Sequence, residues 1–357
     1  MNVQNCIGKG LSLRMAVMSF ICACMIVAIH CTPNPPSGHW QWWVANLIGA
    51  DGLCRIAVPW FFMASGFFLA GRVGEDGWYS KAIMKRSRTL LVPFAVWAII
   101  GLAFNWCMWC GIQKVGYACG VKNPMDDGLF WGLIRVLGFD VNRMNIGPIW
   151  YLRALFLLAI VSPVICWGVR KFRLLFPSAL FIMYGIYDTT IHFADFWEYV
   201  FSLRGLAYFT IGIAIRMGAF DKLERCLGRC AEGALLLMGL GALTINAWAR
   251  LNGIVLLENF SDFAMVVPLM YGIWCLTMYI QLPYYWVSSS FAVYILHGFF
   301  LKISIVLVTL LNQRASMDGS LVIAAFRWLG AVFFSIVFAI WLKRLSIRTS
   351  NLLFGGR

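Results

Sequence analysis

Ten times along its 357 residues this chain runs apolar for about the length of a membrane-crossing helix, and no other feature constrains its fold as much. A hydrocarbon layer ~30 Å thick needs about 20 apolar residues per helix. The segments lie near 11–31, 52–71, 89–110, 147–168, 172–190, 198–216, 229–249, 261–281, 288–311 and 320–342. Composition excludes the alternative of a large water-soluble core. The chain is 61% hydrophobic and 12% charged, against roughly 45–50% and ~25% in soluble domains. The first segment is too long, and too poor in a small-residue cleavage site, for a removed signal peptide. The expectation is an all-α polytopic membrane protein, 1–357 as one integral domain.

A net charge of +14 would suit a nucleic-acid binder, but its distribution argues for topology instead. With the N-terminus inside and ten crossings, eighteen of the 29 Lys and Arg residues fall on inner loops, six fall outside and five lie within segments. Positive charge collects on cytoplasmic loops, so both termini are expected in the cytoplasm of a bacterial-type inner membrane. No nucleic-acid partner is expected.

The twelve cysteines carry little. Cys107-x-x-Cys110 and Cys226-x-x-x-Cys230 lack a second ligand pair at zinc-site spacing, so no metal is expected. A disulfide among Cys107, Cys110 and Cys119 on the outer side is left open. The longest excursion, 111–146, is long enough to lid a site. Small residues in "GIAI" and "GLGALTINA" suit close helix packing, and Ser65 in "MASGF" reads as packing rather than as a nucleophile.

Function is sought among ionisable residues inside the membrane, which are costly there and usually face the bundle interior. They are His30, Arg55, Arg153, Arg204, His297, Lys302 and Arg327. Arg204 and Arg327 read as structural or snorkelling. His39 and His192 read as solvated loop residues. Carboxylates are scarce within the segments, so several buried cations point to an anionic ligand or a polar cavity. His30 ends the run "MIVAIHC" just before "TPNPP". A neutral imidazole there can take a proton from a hydroxyl and return it, which makes it a candidate general base; an interfacial structural histidine is the alternative.

Four separated stretches together resemble the acyltransferase-3 family of integral membrane acyltransferases: "MIVAIHC", "CRIAVPWFFMASGFFLAGR", "GPIWYLRALFLLAIVSPVI" and "SSFAVYILHGFFL", with the basic run "KAIMKRSRTLLVPF". The resemblance implies transfer of an acyl group, commonly acetyl, from cytoplasmic acyl-coenzyme A to a hydroxyl of a glycan or lipid-linked acceptor. It implies that His30 is the essential first-helix histidine and that Lys85-x-x-Arg88 stands where the family has Arg-x-x-Arg. Lys81, Lys85, Arg86 and Arg88 are then candidates for the coenzyme A phosphates. Arg55, Arg153, His297 and Lys302 are candidates for holding the acceptor or an oxyanion. The chain departs from the family at Ser19, eleven residues before His30, where an arginine is usual. Eleven residues leave the two on one helix face about 16 Å apart, whereas Arg14 points about 160° away from His30. Three readings stay open there: another cation such as Arg153 or Lys302 fills the cavity, donor binding differs, or the chain is a degenerate member with a structural role. A transporter or flippase of an anionic or glycan substrate is the rival from another class.

Overall fold

A computed structural model describes residues 8–37, 39–115, 149–190, 202–221, 229–311 and 320–356, together with Gly128. Among them lie fourteen α-helices: α1 (Lys9–Cys31), α2 (Trp40–Ile48), α3 (Ala57–Ala70), α4 (Trp78–Arg86), α5 (Val92–Val115), α6 (Trp150–Phe172), α7 (Leu175–Thr190), α8 (Leu203–Arg216), α9 (Arg229–Leu251), α10 (Val255–Leu276), α11 (Tyr284–Val287), α12 (Ser290–Leu311), α13 (Leu321–Leu345) and α14 (Ile347–Phe354). No strand pairing occurs among the described residues beyond one isolated bridge, Val73 to Glu75. The protein is an all-α, multi-pass membrane protein.

Each of the ten expected segments contains a helix. Seven helical stretches among the described residues are long and apolar enough to cross a membrane: Lys9–Cys31, Trp40–Ala70, Trp78–Gly111, Trp150–Phe172, Glu232–Leu251, Val255–Leu276 and Leu321–Leu345. Leu175–Tyr187 and Ser290–Ser304 are shorter apolar helices, and α8 has 14 residues. The expected outer excursion, with Cys119, lies almost wholly outside the described residues, as does His192. Cys107 and Cys110 are free, and His39 is exposed.

In hydrocarbon, helices gain little from apolar burial against one another, so close backbone approach and interhelical hydrogen bonds hold the bundle. The α3–α8 crossing depends on two glycines. A Cβ on Gly66 would overlap the Phe209 carbonyl, and one on Gly212 would overlap the Met63 carbonyl. Gly239 approaches Pro268 and Leu269 across the α9–α10 pair, whereas Gly241 faces open space. The small residues of "GIAI" thus pack as expected, and those of "GLGALTINA" do so in part.

Two local features shape one end of the bundle. Between α4 and α5 the run Ser87–Leu91 widens into a π-helical turn. Pro93 follows it, and with no N–H it cannot donate to the Thr89 carbonyl as an α-helical residue would. At the C-terminus, α14 docks under α5: Trp97 Nε1 donates to the Leu353 carbonyl at 2.8 Å, and Phe354 packs on the Trp97 ring. Gly355 ends α14 at φ 67°, pressed against the Thr89 backbone, where a side chain would be strained and would clash.

Candidate functional site

Part of the basic run, Lys85 and Arg86, meets Arg72 and Arg216 in the lining of a cavity of about 840 Å³ at the end of the bundle where α1 and α12 begin. α1 contributes Ala16 and Ser19, α3 contributes Phe61, Ala64, Ser65, Phe68 and Leu69, and the turn after it supplies Arg72 and Glu75. α4 and the π-helical turn add Lys85, Arg86 and Thr89, α8 adds Arg216, and α12 adds Phe291 and Tyr294. Among the described residues four cations and one carboxylate line it, so its field favours an anion. Arg86 is oriented by a bond from Nη2 to the Ser65 carbonyl, 3.1 Å. The Arg216 guanidinium lies over the Phe67 ring at 5.2 Å.

At its deep end the cavity is walled by Tyr151 and Tyr294, whose rings meet edge to face at 5.7 Å. Tyr294 in turn lies 6.4 Å from the ring of His297. His297 is 1% exposed, and its ring stacks on that of His30, centroids 5.2 Å apart and planes 24° apart. The Nδ1 of His297 is 3.1 Å from the Val293 carbonyl. A carbonyl only accepts, so Nδ1 carries the proton and Nε2 presents a lone pair. That Nε2 is buried and has no hydrogen-bond partner among the described residues. His30, at the end of α1, keeps an exposed surface. Ser19 and His30 share a face of α1, so that Ser19 lines the cavity and His30 meets α12 about 16 Å further along the same face.

The remaining candidates are distributed otherwise. Lys85 and Arg86 line the cavity, while Lys81 and Arg88 are exposed outside its lining. Arg72 and Arg216, two of the eighteen basic residues that the charge distribution puts on inner loops, stand in the cavity wall. They could have been suspected from their positions at the ends of apolar segments, but nothing one-dimensional distinguishes them from their neighbours. Arg55 has carboxylate partners despite the scarcity of acidic residues within the segments. It pairs with buried Asp262 and, at 3.7 Å, with Asp51. Arg250 joins the same network through Asp51 and through Glu258, at 2.7 Å for the latter. Arg153 is 7% exposed in the first turn of α6. Lys302 donates to Asn105 Oδ1 at 2.7 Å. Neither lines the cavity. Arg204 bonds to the Tyr184 hydroxyl at 3.0 Å and Arg327 to Ser304 Oγ at 3.3 Å, as structural residues would.

Ser19 itself bonds to the Met15 carbonyl at 2.7 Å and accepts from Trp60 Nε1 at 3.1 Å. Trp60 stacks on Trp274, over which Arg14 lies at 4.2 Å while donating to the Trp274 carbonyl. Arg14 is therefore held at α10 and does not replace the family arginine. The cations that line the cavity together with Ser19 are Arg72, Lys85, Arg86 and Arg216, and Arg153 and Lys302 do not line it. Among the described residues no group of three or more His, Cys, Asp or Glu could hold a metal ion.

A family model for an acyltransferase domain, acyltransferase 3, matches residues 16–344. Among curated proteins, the succinoglycan biosynthesis protein ExoH of Rhizobium meliloti (strain 1021) is 27% identical over 173 residues, 45% of this chain. The chain spans 44% of the length of that relative. No solved structure matches.

Proposed function

The chain belongs to the acyltransferase-3 family, and on that premise we propose that it is a membrane O-acyltransferase of the inner membrane, moving an acyl group from acyl-coenzyme A to a hydroxyl of a cell-envelope polysaccharide. The observation that carries the donor is the cavity. Its four cations and single carboxylate suit a polyanion, and charge-assisted bonds from Arg and Lys are the strong ones available to phosphates. Its deep wall, Tyr151 and Tyr294, lies beside the histidine pair. A polysaccharide acceptor is supported by the named role of the relative in succinoglycan biosynthesis.

In this reading the phosphates of the donor rest among Arg72, Lys85, Arg86 and Arg216, and the thioester reaches toward His297 and His30. His30, which retains exposure, meets the acceptor. It takes the hydroxyl proton as the oxygen attacks the thioester carbonyl; the new C–O bond forms, the C–S bond breaks, and the departing thiolate recovers the proton from His30. His297, whose Nδ1–H donates to the Val293 carbonyl, holds the His30 ring by stacking and, as the neutral tautomer, keeps Nε2 as a hydrogen-bond acceptor. Purified protein, radiolabelled acetyl-coenzyme A and envelope glycan test the scheme. Label should pass to the glycan with the native chain and not with His30→Ala. Undiminished transfer by that variant overturns it.

A further inference from the structure

A second, smaller cavity of about 270 Å³ opens beside the first, between the start of α12 and the corner of α13 and α14. Tyr284, Ser288 and Phe291 line both cavities, so the two are contiguous. The smaller one adds Tyr285, Ser350 and two cations, Lys343 and Arg344 from the last turn of α13, and no carboxylate among the described residues lines it. Topology alone accounts for basic residues at a helix end. It does not account for their meeting two tyrosines and serine hydroxyls around one hollow. Tyr284 is 77% exposed and Tyr285 51% exposed, so both offer ring surface to a ligand.

We infer that this pocket binds the phosphorylated adenosine end of the acyl-coenzyme A donor. The inference rests on the donor proposed above and names where its far end goes. Aromatic faces stack on a base whatever its identity, hydroxyls bond to ribose, and Lys343 and Arg344 meet phosphate. The size agrees: pockets for whole small molecules run from about 300 Å³ upward, so the small cavity suits a nucleoside and the large one the rest of an extended donor. The spacing agrees as well. From Ser290, in the lining of the large cavity, to His297 the helix rises about 10 Å, so a molecule seated at Lys343 must be long and thin to reach the histidine pair. The competing occupant of a basic interfacial hollow is an anionic lipid headgroup.

The test compares two donors on the full chain in discs of zwitterionic lipid: acetyl-coenzyme A, and S-acetylpantetheine, which lacks the nucleotide. Lys343→Gln/Arg344→Gln should raise KM for acetyl-coenzyme A by about tenfold or more and leave KM for acetylpantetheine unchanged. Tyr285→Ala, which keeps every charge, should shift the same donor selectively. Equal effects on both donors, or none on acetyl-coenzyme A, overturn the inference while leaving the proposed activity standing. An effect that appears only when anionic lipid is present assigns the pocket to a headgroup and overturns it too. A native chain that transfers from neither donor removes the proposed activity itself, and the inference with it.

Discussion

Two pairs of basic residues separate a donor site from a topology signal, because they lie on the same stretch of chain and differ in what they face. Arg72 and Lys85 line the large cavity, whereas Lys81 and Arg88 are exposed outside it. Arg72→Gln/Lys85→Gln and Lys81→Gln/Arg88→Gln each remove two charges from the same end of the bundle, so their effects on insertion should match. A hydrogen bond to a charged group contributes about 1.5–3 kcal/mol, and two would give about 3–6 kcal/mol if fully sheltered. Lys85 is exposed, and screening there cuts such a contact severely. About 1.4–3 kcal/mol remains for the pair, which is roughly tenfold to 150-fold in donor affinity. The off-cavity pair acts only through the long-range field and should cost no more than about twofold. The assay is initial-rate kinetics on purified, correctly inserted protein with acetyl-coenzyme A varied at fixed acceptor. KM for the donor should rise for the cavity pair, with acceptor KM unmoved. Added salt should raise the native KM more steeply than that of the cavity variant, which has already lost the attraction that salt screens. Equal donor KM values for the two double variants would refute the reasoning and reduce the cavity cations to a topology signal.

Three further outcomes follow from named contacts. His297→Phe keeps a ring against His30 but removes both nitrogens, and kcat should fall at least about tenfold with donor KM retained; native turnover in that variant would reduce His297 to packing. Gly212→Ala drives a Cβ into the Met63 carbonyl and should cost about 1–3 kcal/mol, whereas Gly241→Ala meets nothing within 4 Å and should be neutral or stabilising; melting curves in detergent decide, and equal melting points would contradict the close α3–α8 crossing. Asp262→Asn leaves Arg55 with Asp51 as its charged partner among the described residues and should lower stability by about 3 kcal/mol while kcat and KM per folded molecule stay native; a selective loss of acceptor affinity would instead move Arg55 into the site.

Much of the candidate site was legible in the chain as residue types and little of it as geometry. His30 stood out because an ionisable ring at the end of an apolar helix demands a reason. The basic run after the second apolar segment stood out because it gathers charge. The pairing of His30 with His297, 267 positions later, left no trace in spacing, since the phase between two helices depends on what packs between them. The same ignorance of phase grouped Lys81 and Arg88 with Lys85 and Arg86, and the π-helical turn at Ser87–Leu91 shifts that phase further. Asp262 escaped notice as the partner of Arg55 because its helix, Val255–Leu276, reads as one apolar span whose two carboxylates, Glu258 and Asp262, lie near its start.

The sequence by itself determined that the chain is a helical membrane protein, because partition into a bilayer depends on apolar length and charge summed along the chain, and both can be read in one dimension; its resemblance to the family rested on motifs instead. Only the tertiary structure decided which side chains share a cavity. That outcome depends on glycine-mediated approach at α3 and α8, on a turn widened before Pro93, and on aromatic contacts between residues hundreds of positions apart. Each of these is a balance of short-range contacts between separate helices, and the apolar pattern of any one helix says nothing about its neighbour's register.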